Sequence, residues 1–134
     1  MRQTMSWLHD AGFLWLRVLM GAGIATHGAQ KIFGGKIGYF AQGIGQMGFP
    51  LPEFSAWVAA LSEFAGGLCI ALGFGTRFAA LAIFVTMSVA AFLHHAADPF
   101  SKKELALAYW SIAGFLILTG AGRFSLDGLL KKRP

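Results

Sequence analysis

Four long apolar stretches occupy most of this chain, and they restrict it to folds that suit a lipid bilayer. The stretches cover residues 11–33, 54–73, 78–97 and 105–122. A helix needs about 20 mostly apolar residues to cross a bilayer, and each stretch is close to that length. The sequence therefore predicts an all-α membrane protein with a single transmembrane domain over residues 1–134. Short connections between the stretches predict an antiparallel bundle of four transmembrane helices.

The charge pattern agrees with a bilayer as the main partner of this chain. Charged residues make up 13% of the sequence, against roughly 25% in soluble domains. The net charge of +5 comes largely from Lys and Arg at the ends of the stretches, where such residues orient membrane proteins. Six of them flank one side and four flank the other, which predicts that both termini are cytoplasmic. No basic stripe with interleaved aromatic residues is present, so we exclude nucleic acid as a partner.

The connection between the first two stretches, residues 34–52, is rich in glycine and is predicted to be a loop outside the membrane. Its apolar residues recur at helical spacing, which also suits an amphipathic turn at the interface. These residues are Ile37, Phe40, Ile44 and Met47. A plain linker and a lid over a cavity are both open interpretations of this segment.

The other connections carry recognisable turn and capping signals. Residues 73–77 contain two glycines and are too short for anything but a tight antiparallel hairpin, with glycine at positive φ where the helix ends. Ser101 and Glu104 have the spacing of a capping box at the start of the fourth helix. Ser125 is expected to cap a short helix in the C-terminal tail.

Glu63 is the only charged residue within residues 54–73. A carboxylate at that depth is costly and is usually functional or paired. Small residues share its helical face and bulky apolar residues occupy the opposite face, so Glu63 is expected to point into the bundle. A proton relay, an acid that holds a ligand and a structural partner for Arg17 are three open roles. We expect Arg17 and Glu63 to approach one another, and Lys31 to extend to the interface.

Histidines form the second group of candidate site residues. His27 and His94 lie on faces predicted to point inward, His95 lies off to one side, and His94 is expected to face the same cavity as Glu63. Histidine exchanges protons near neutral pH and can hydrogen-bond a quinone carbonyl. Adjacent histidines on one helix point in different directions, and the single cysteine, Cys69, excludes a thiolate cluster, so no metal ligand is assigned. The candidates for ligand binding or proton handling are Arg17, His27, Glu63, His94 and His95.

Several of these residues lie in motifs that resemble the DoxX family of small bacterial membrane proteins. The motifs are Arg17 followed by HGAQK at 27–31, EFAGGL at 63–68 continuing to LGFGTRFAA at 72–80, and GAGRFSLD at 120–127. The resemblance implies a four-helix bundle in a bacterial inner membrane. It also implies a link to quinone-dependent redox systems, because the namesake is the small subunit of a thiosulfate:quinone oxidoreductase or terminal quinol oxidase complex.

These observations give one functional hypothesis and two alternatives. The first is an accessory or quinone-interacting subunit of a membrane redox complex, with quinone as its candidate cofactor and redox enzyme subunits as partners. In that case the chain is associated with an oxidoreductase, although no catalytic residue is assigned. The alternatives are a non-catalytic scaffold that recruits a soluble partner, and passage of protons or small solutes along a polar interior. Self-association into a homo-oligomer is compatible with each.

Overall fold

A computed structural model describes residues 2–131, and every regular element in that part of the chain is helical. The helices are α1 (Arg2–Phe33), α2 (Ile37–Gln46), α3 (Pro52–Leu72), α4 (Thr76–Val89), α5 (Phe100–Thr119) and α6 (Leu126–Lys131). A π-helical turn, Ala90–His94, continues α4. The predicted all-α class is confirmed.

Within residues 2–131, two helical segments are long and apolar enough to cross a membrane: α3, and α4 together with its π turn over Thr76–His94. The other two long helices, α1 and α5, also direct bulky apolar side chains outward. Trp15 and Leu19 of α1 are 71% and 57% exposed, and Leu118 of α5 is 80% exposed. Exposed apolar surface on this scale is unusual for a soluble monomer and suits contact with acyl chains.

The four long helices share one apolar core. Ile24 of α1, Ile70 of α3, Ile83 of α4 and Leu116 of α5 are each at most 1% exposed and belong to one cluster. This cluster fills the middle of the bundle, between the end that holds α2 and the end that holds α6.

Small residues bring α1 and α3 into close contact. A Cβ atom added to Gly21 would lie 2.5 Å from the carbonyl oxygen of Gly67, and one added to Gly67 would lie 2.6 Å from the backbone nitrogen of Ala25. Gly28 is equally close to the backbone of α3 at Phe64. Backbones in lipid pack closely where side chains are small, and this contact confirms the inward face predicted for α3. On α1 it places Gly21 and Gly28 inward, but the inward orientation predicted for His27 is wrong, because His27 lies off this contact and is exposed.

The glycine-rich segment between α1 and α3 is not a loop throughout, because residues Ile37–Gln46 form α2. Ile37 and Ile44 are buried and pack with Ala56 and Ala60 of α3. The apolar spacing in the sequence is therefore that of a real helix docked on α3. Glycine disfavours helix formation by about 1 kcal/mol per residue, and burial of this apolar face offsets that tendency.

The tight hairpin between α3 and α4 is confirmed. Gly73 ends α3 at φ 71°, Gly75 has φ 57°, and the Phe74 N–H donates to the Cys69 carbonyl over 2.9 Å. Those left-handed conformations are the ones that glycine adopts without strain. The turn holds α3 and α4 antiparallel.

The N-terminal end of α6 is bonded to the turn between α3 and α4. The Asp127 carboxylate accepts hydrogen bonds from the N–H groups of Gly75 (2.9 Å) and Thr76 (3.0 Å) and so caps α4. Burial raises the pKa of this carboxyl, but the hydrogen bonds from the Thr76 and Gly75 amides together with the nearby positive charge of Lys131 outweigh it, and the pKa of Asp127 lies below its ordinary value. The Ser125 hydroxyl accepts from the Gly128 N–H at 2.9 Å, which confirms Ser125 as the cap of α6.

The predicted capping box at the start of α5 is wrong. Helix α5 begins at Phe100, its N-cap residue is Pro99, and no side chain caps it. Pro99 has an extended backbone, with ψ 156°, and the helix begins at the next residue. This start is earlier than expected, so Ser101 and Glu104 already lie inside the helix. Glu104 is exposed there.

Candidate functional site

Glu63 forms an ion pair with Lys31. The Nζ atom of Lys31 donates to both carboxylate oxygens of Glu63, over 2.8 Å and 2.7 Å. The side chain of Glu63 is 3% exposed and that of Lys31 is 25% exposed. The Lys31 ammonium also lies 4.3 Å from the centre of the Phe40 ring of α2, a favourable cation–π distance.

The close packing of α1 on α3 explains why these two residues meet. Gly28 touches the backbone of α3 beside Glu63, and Lys31 lies one helical turn further along α1 on the same face. The long lysine stem then reaches back to the carboxylate. A buried carboxylate without a partner would be strongly unfavourable, and Lys31 supplies that partner.

A cavity of about 490 Å³ lies beside this ion pair. Lys31, Glu63 and His94 are the basic and acidic residues of its wall, and most of the remaining wall is apolar. The other polar lining residues are Tyr39, Gln42, Gln46, Ser55 and Thr86. Helix α2 and the residue after it form one side of the cavity through Phe40, Ile44 and other residues between 39 and 47. Of the two interpretations of residues 34–52, this arrangement favours a lid over a cavity.

The π-helical turn at the end of α4 brings His94 to the cavity. A π turn widens the helix locally, and such turns are frequent at functional sites. A Cβ atom added to Gly43 of α2 would lie 3.8 Å from Cε1 of His94, so α2 runs directly past the imidazole. The prediction that His94 faces the same cavity as Glu63 is confirmed.

Arg17 does not approach Glu63, and the predicted pair between them is wrong. The Arg17 side chain is 1% exposed, and its guanidinium donates to the carbonyls of Ile70 (3.2 Å), Ala121 (2.5 Å) and Phe124 (2.8 Å). These carbonyls lie at or beyond the C-terminal ends of α3 and α5, where a positive charge is favoured. Arg17 therefore ties together the end of the bundle opposite the cavity.

His27 and His95 also lie outside the cavity. His27 is exposed, and its ring meets that of Tyr109 edge-on with centroids 6.0 Å apart. His95 contacts Asp98 through Nδ1 and Oδ2 at 2.7 Å. That hydrogen bond holds the pKa of the Asp98 carboxyl below its ordinary value. Among the five candidate residues, only Glu63 and His94 come together at one cavity.

Two residues of this site were missed in the sequence: Lys31 as a partner and Phe40 as its aromatic neighbour. Lysines near helix ends commonly extend to the interface, and this made the outward orientation of Lys31 the expected one. The signal that pointed inward was the shared face with Gly28, three residues earlier. The described residues contain no group of three or more His, Cys, Asp or Glu side chains suited to hold a metal ion.

The chain matches the family model for DoxX over residues 12–96. It is 36% identical over 136 residues to the inner membrane protein YqjF of Escherichia coli (strain K12), covering 96% of this chain and 99% of YqjF. It is 38% identical over 104 residues to the inner membrane protein YphA of the same organism, covering 71% of each chain. No solved structure matches it significantly. The chain therefore belongs to the DoxX family and, like these two relatives, is an inner membrane protein.

Proposed function

We propose that this protein binds a quinone in the cavity beside Lys31 and Glu63, and that it serves as an accessory subunit of a membrane redox complex. The cavity itself is the observation behind this proposal. Its wall is mostly apolar, and Lys31, Glu63 and His94 are its only basic or acidic lining residues. Sites for small amphipathic ligands have this composition, with an apolar lining and a few convergent polar groups.

The polar groups suit a quinone ring. A lysine ammonium has three N–H donors, and the bonds to the two Glu63 oxygens leave a donor of Lys31 for a quinone carbonyl. The imidazole of His94 is a second donor on the cavity wall. Reduction of a quinone consumes protons together with electrons. Glu63 and His94 are positioned to exchange the protons, while the partner subunits of the complex would supply the electrons.

The membrane arrangement that goes with this function has four spans: α1, α3, α4 with its π turn, and α5. Both termini would then be cytoplasmic, and α2 would lie on the opposite, outer side. The exposed apolar residues of α1 and α5 support spans in addition to the two segments that are apolar enough by themselves. Reporter fusions at the two termini and within α2 test this topology, and termini on opposite faces would contradict it.

The two alternative functions receive less support. Passage of a proton or solute through the bundle needs a polar route from the cavity to Arg17. Ile24, Ile70 and Ile83 form a buried apolar layer between these two ends. A scaffold that recruits a soluble partner would not contain a structural pair of Arg17 and Glu63, since each has a different partner.

Equilibrium binding of a benzoquinone to the purified protein tests the proposal. We expect saturable binding that weakens in Glu63→Gln and in His94→Gln. His27→Gln is the matched control, because it makes the same substitution at an exposed histidine outside the cavity. No saturable binding to the parent protein, or equal weakening in the two histidine variants, would contradict the proposal.

A further inference from the structure

The cavity beside Lys31 has an apolar rim, formed by Val58 and Val85, on the outer surface of the bundle. Val58 of α3 and Val85 of α4 both line the cavity. Both are also exposed, Val58 by 48% and Val85 by 55%. Near their shared turn α3 and α4 are in contact, where a Cβ atom on Gly66 would lie 3.4 Å from the Ile83 side chain. Further from the turn, the cavity occupies the space between them.

This rim lies at membrane depth. Val58 is six residues after the start of the candidate span Pro52–Leu72, and Val85 is nine residues after the start of Thr76–His94. At about 1.5 Å per residue, Val58 is roughly 9 Å and Val85 roughly 14 Å inside the respective ends. The exposed surface at this depth therefore contacts acyl chains and not water.

The salt bridge on the wall of the cavity pairs opposite charges. Lys31 and Glu63 form a salt bridge of 2.7 Å, so one positive and one negative side chain face each other and add no net charge to the cavity. Such a pair suits an uncharged head group with oxygen acceptors better than an anion or a cation. Val58 and Val85, with Ala59 and Val89 on the same helices, offer apolar contacts for the remainder of a ligand, and Ser55 and Thr86 are the polar lining residues nearby.

We propose that the gap between Val58 and Val85 is a lateral portal, through which a long apolar chain of the bound ligand extends from the cavity into the bilayer. The ligand class is then an uncharged head with carbonyl or hydroxyl oxygens and a long hydrocarbon chain, which enters from the membrane. This inference rests on the proposed function, because it uses the same cavity and specifies the part of the ligand that lies outside it.

Tryptophan substitutions at the rim test the portal. Val58→Trp and Val85→Trp would narrow the gap, while Leu61→Trp and Leu81→Trp are matched controls. Leu61 and Leu81 lie on the same helices with similar exposure, 49% and 50%, but do not line the cavity. The probes are a benzoquinone ring without a side chain and the same ring with a decyl chain, each measured by equilibrium binding in detergent micelles.

We expect the rim variants to weaken binding of the decyl quinone by about tenfold, the equivalent of losing contacts to roughly two methylene groups. Binding of the ring without a chain should change little, and the control variants should bind both probes as the parent does. Unchanged binding of the decyl quinone in both rim variants, or equal weakening in the controls, would overturn the portal while leaving the cavity proposal intact. Failure of both probes to bind the parent would instead remove the proposed function and, with it, the portal.

Discussion

The ion pair between Lys31 and Glu63 can be tested by a double-mutant cycle. Lys31→Met leaves the Glu63 carboxylate, 3% exposed, without its partner. Removal of one member of a buried pair typically costs about 3–5 kcal/mol. Because Lys31 is 25% exposed, water partly screens the pair, and we expect the lower end of that range. Glu63→Gln keeps an acceptor for Lys31 and should cost less.

The double variant, Lys31→Met with Glu63→Gln, should lose less free energy of unfolding than the sum of the losses in the two single variants. Groups in direct contact have coupling energies of about 0.5–3 kcal/mol, and two short charge-assisted bonds favour a value above about 1 kcal/mol. Helical circular dichroism during denaturation in mixed detergent micelles measures the free energy of unfolding of all four proteins.

A matched cycle at Lys36 and Glu53 serves as the control. Both residues are exposed, and substitutions at exposed positions usually change stability by less than about 0.5 kcal/mol. If the losses at Lys31 and Glu63 are simply additive, or no larger than those of the control, then Glu63 is not held by Lys31 and the proposed geometry of the site is wrong.

Three further predictions concern the rest of the bundle. Gly28→Ala should lower the free energy of unfolding by about 1–3 kcal/mol through overpacking, whereas Gly12→Ala, with open space around it, should not; equal effects would contradict close helix packing. Arg17→Met should lower the free energy of unfolding by at least about 1–3 kcal/mol, because buried carbonyls lose their donor. The control Arg77→Met, at an exposed arginine, should lower it much less in the same denaturation assay. The pKa of Asp127 is lowered by folding, so its contribution is present above its ordinary value of 3.8 and is lost as the pH falls through the folded pKa. Asp127→Asn should therefore reduce the loss of stability on acidification below about pH 4, and an unchanged acid profile would argue against this cap.

Features of the fold that depend on neighbouring residues were predictable from the sequence. The turn after α3 follows from Gly73 and Gly75, which supply positive φ, and the cap at Ser125 follows from its position before a short helix. The inward faces of α1 and α3 follow from the helical spacing of their small residues. None of these predictions needed the position of one helix along another.

Prediction of the partner of Glu63 did require the position of α1 along α3. A shift of one helical turn moves a side chain by about 5.4 Å along the axis, and this decides whether a residue near the middle or near the end of α1 meets Glu63. The backbone contact at Gly28 fixes the helices so that Lys31 reaches the carboxylate. The sequence predicted a loop or an amphipathic turn in place of helix α2 for a related reason. Its glycines disfavour a helix locally, and its docking on α3 stabilises one.

Photoaffinity labelling with an azidobenzoquinone, followed by peptide mapping, tests the central claim that a quinone occupies this cavity. We predict labels on residues 39–47, in α2 and just after it, and on residues 85–94, because both segments line the cavity. Excess unlabelled quinone should suppress these labels. His94→Gln should reduce this labelling, while His27→Gln should leave it unchanged. Labels confined to α5 or to the outer face of α1, or labels that excess quinone does not suppress, would contradict the account.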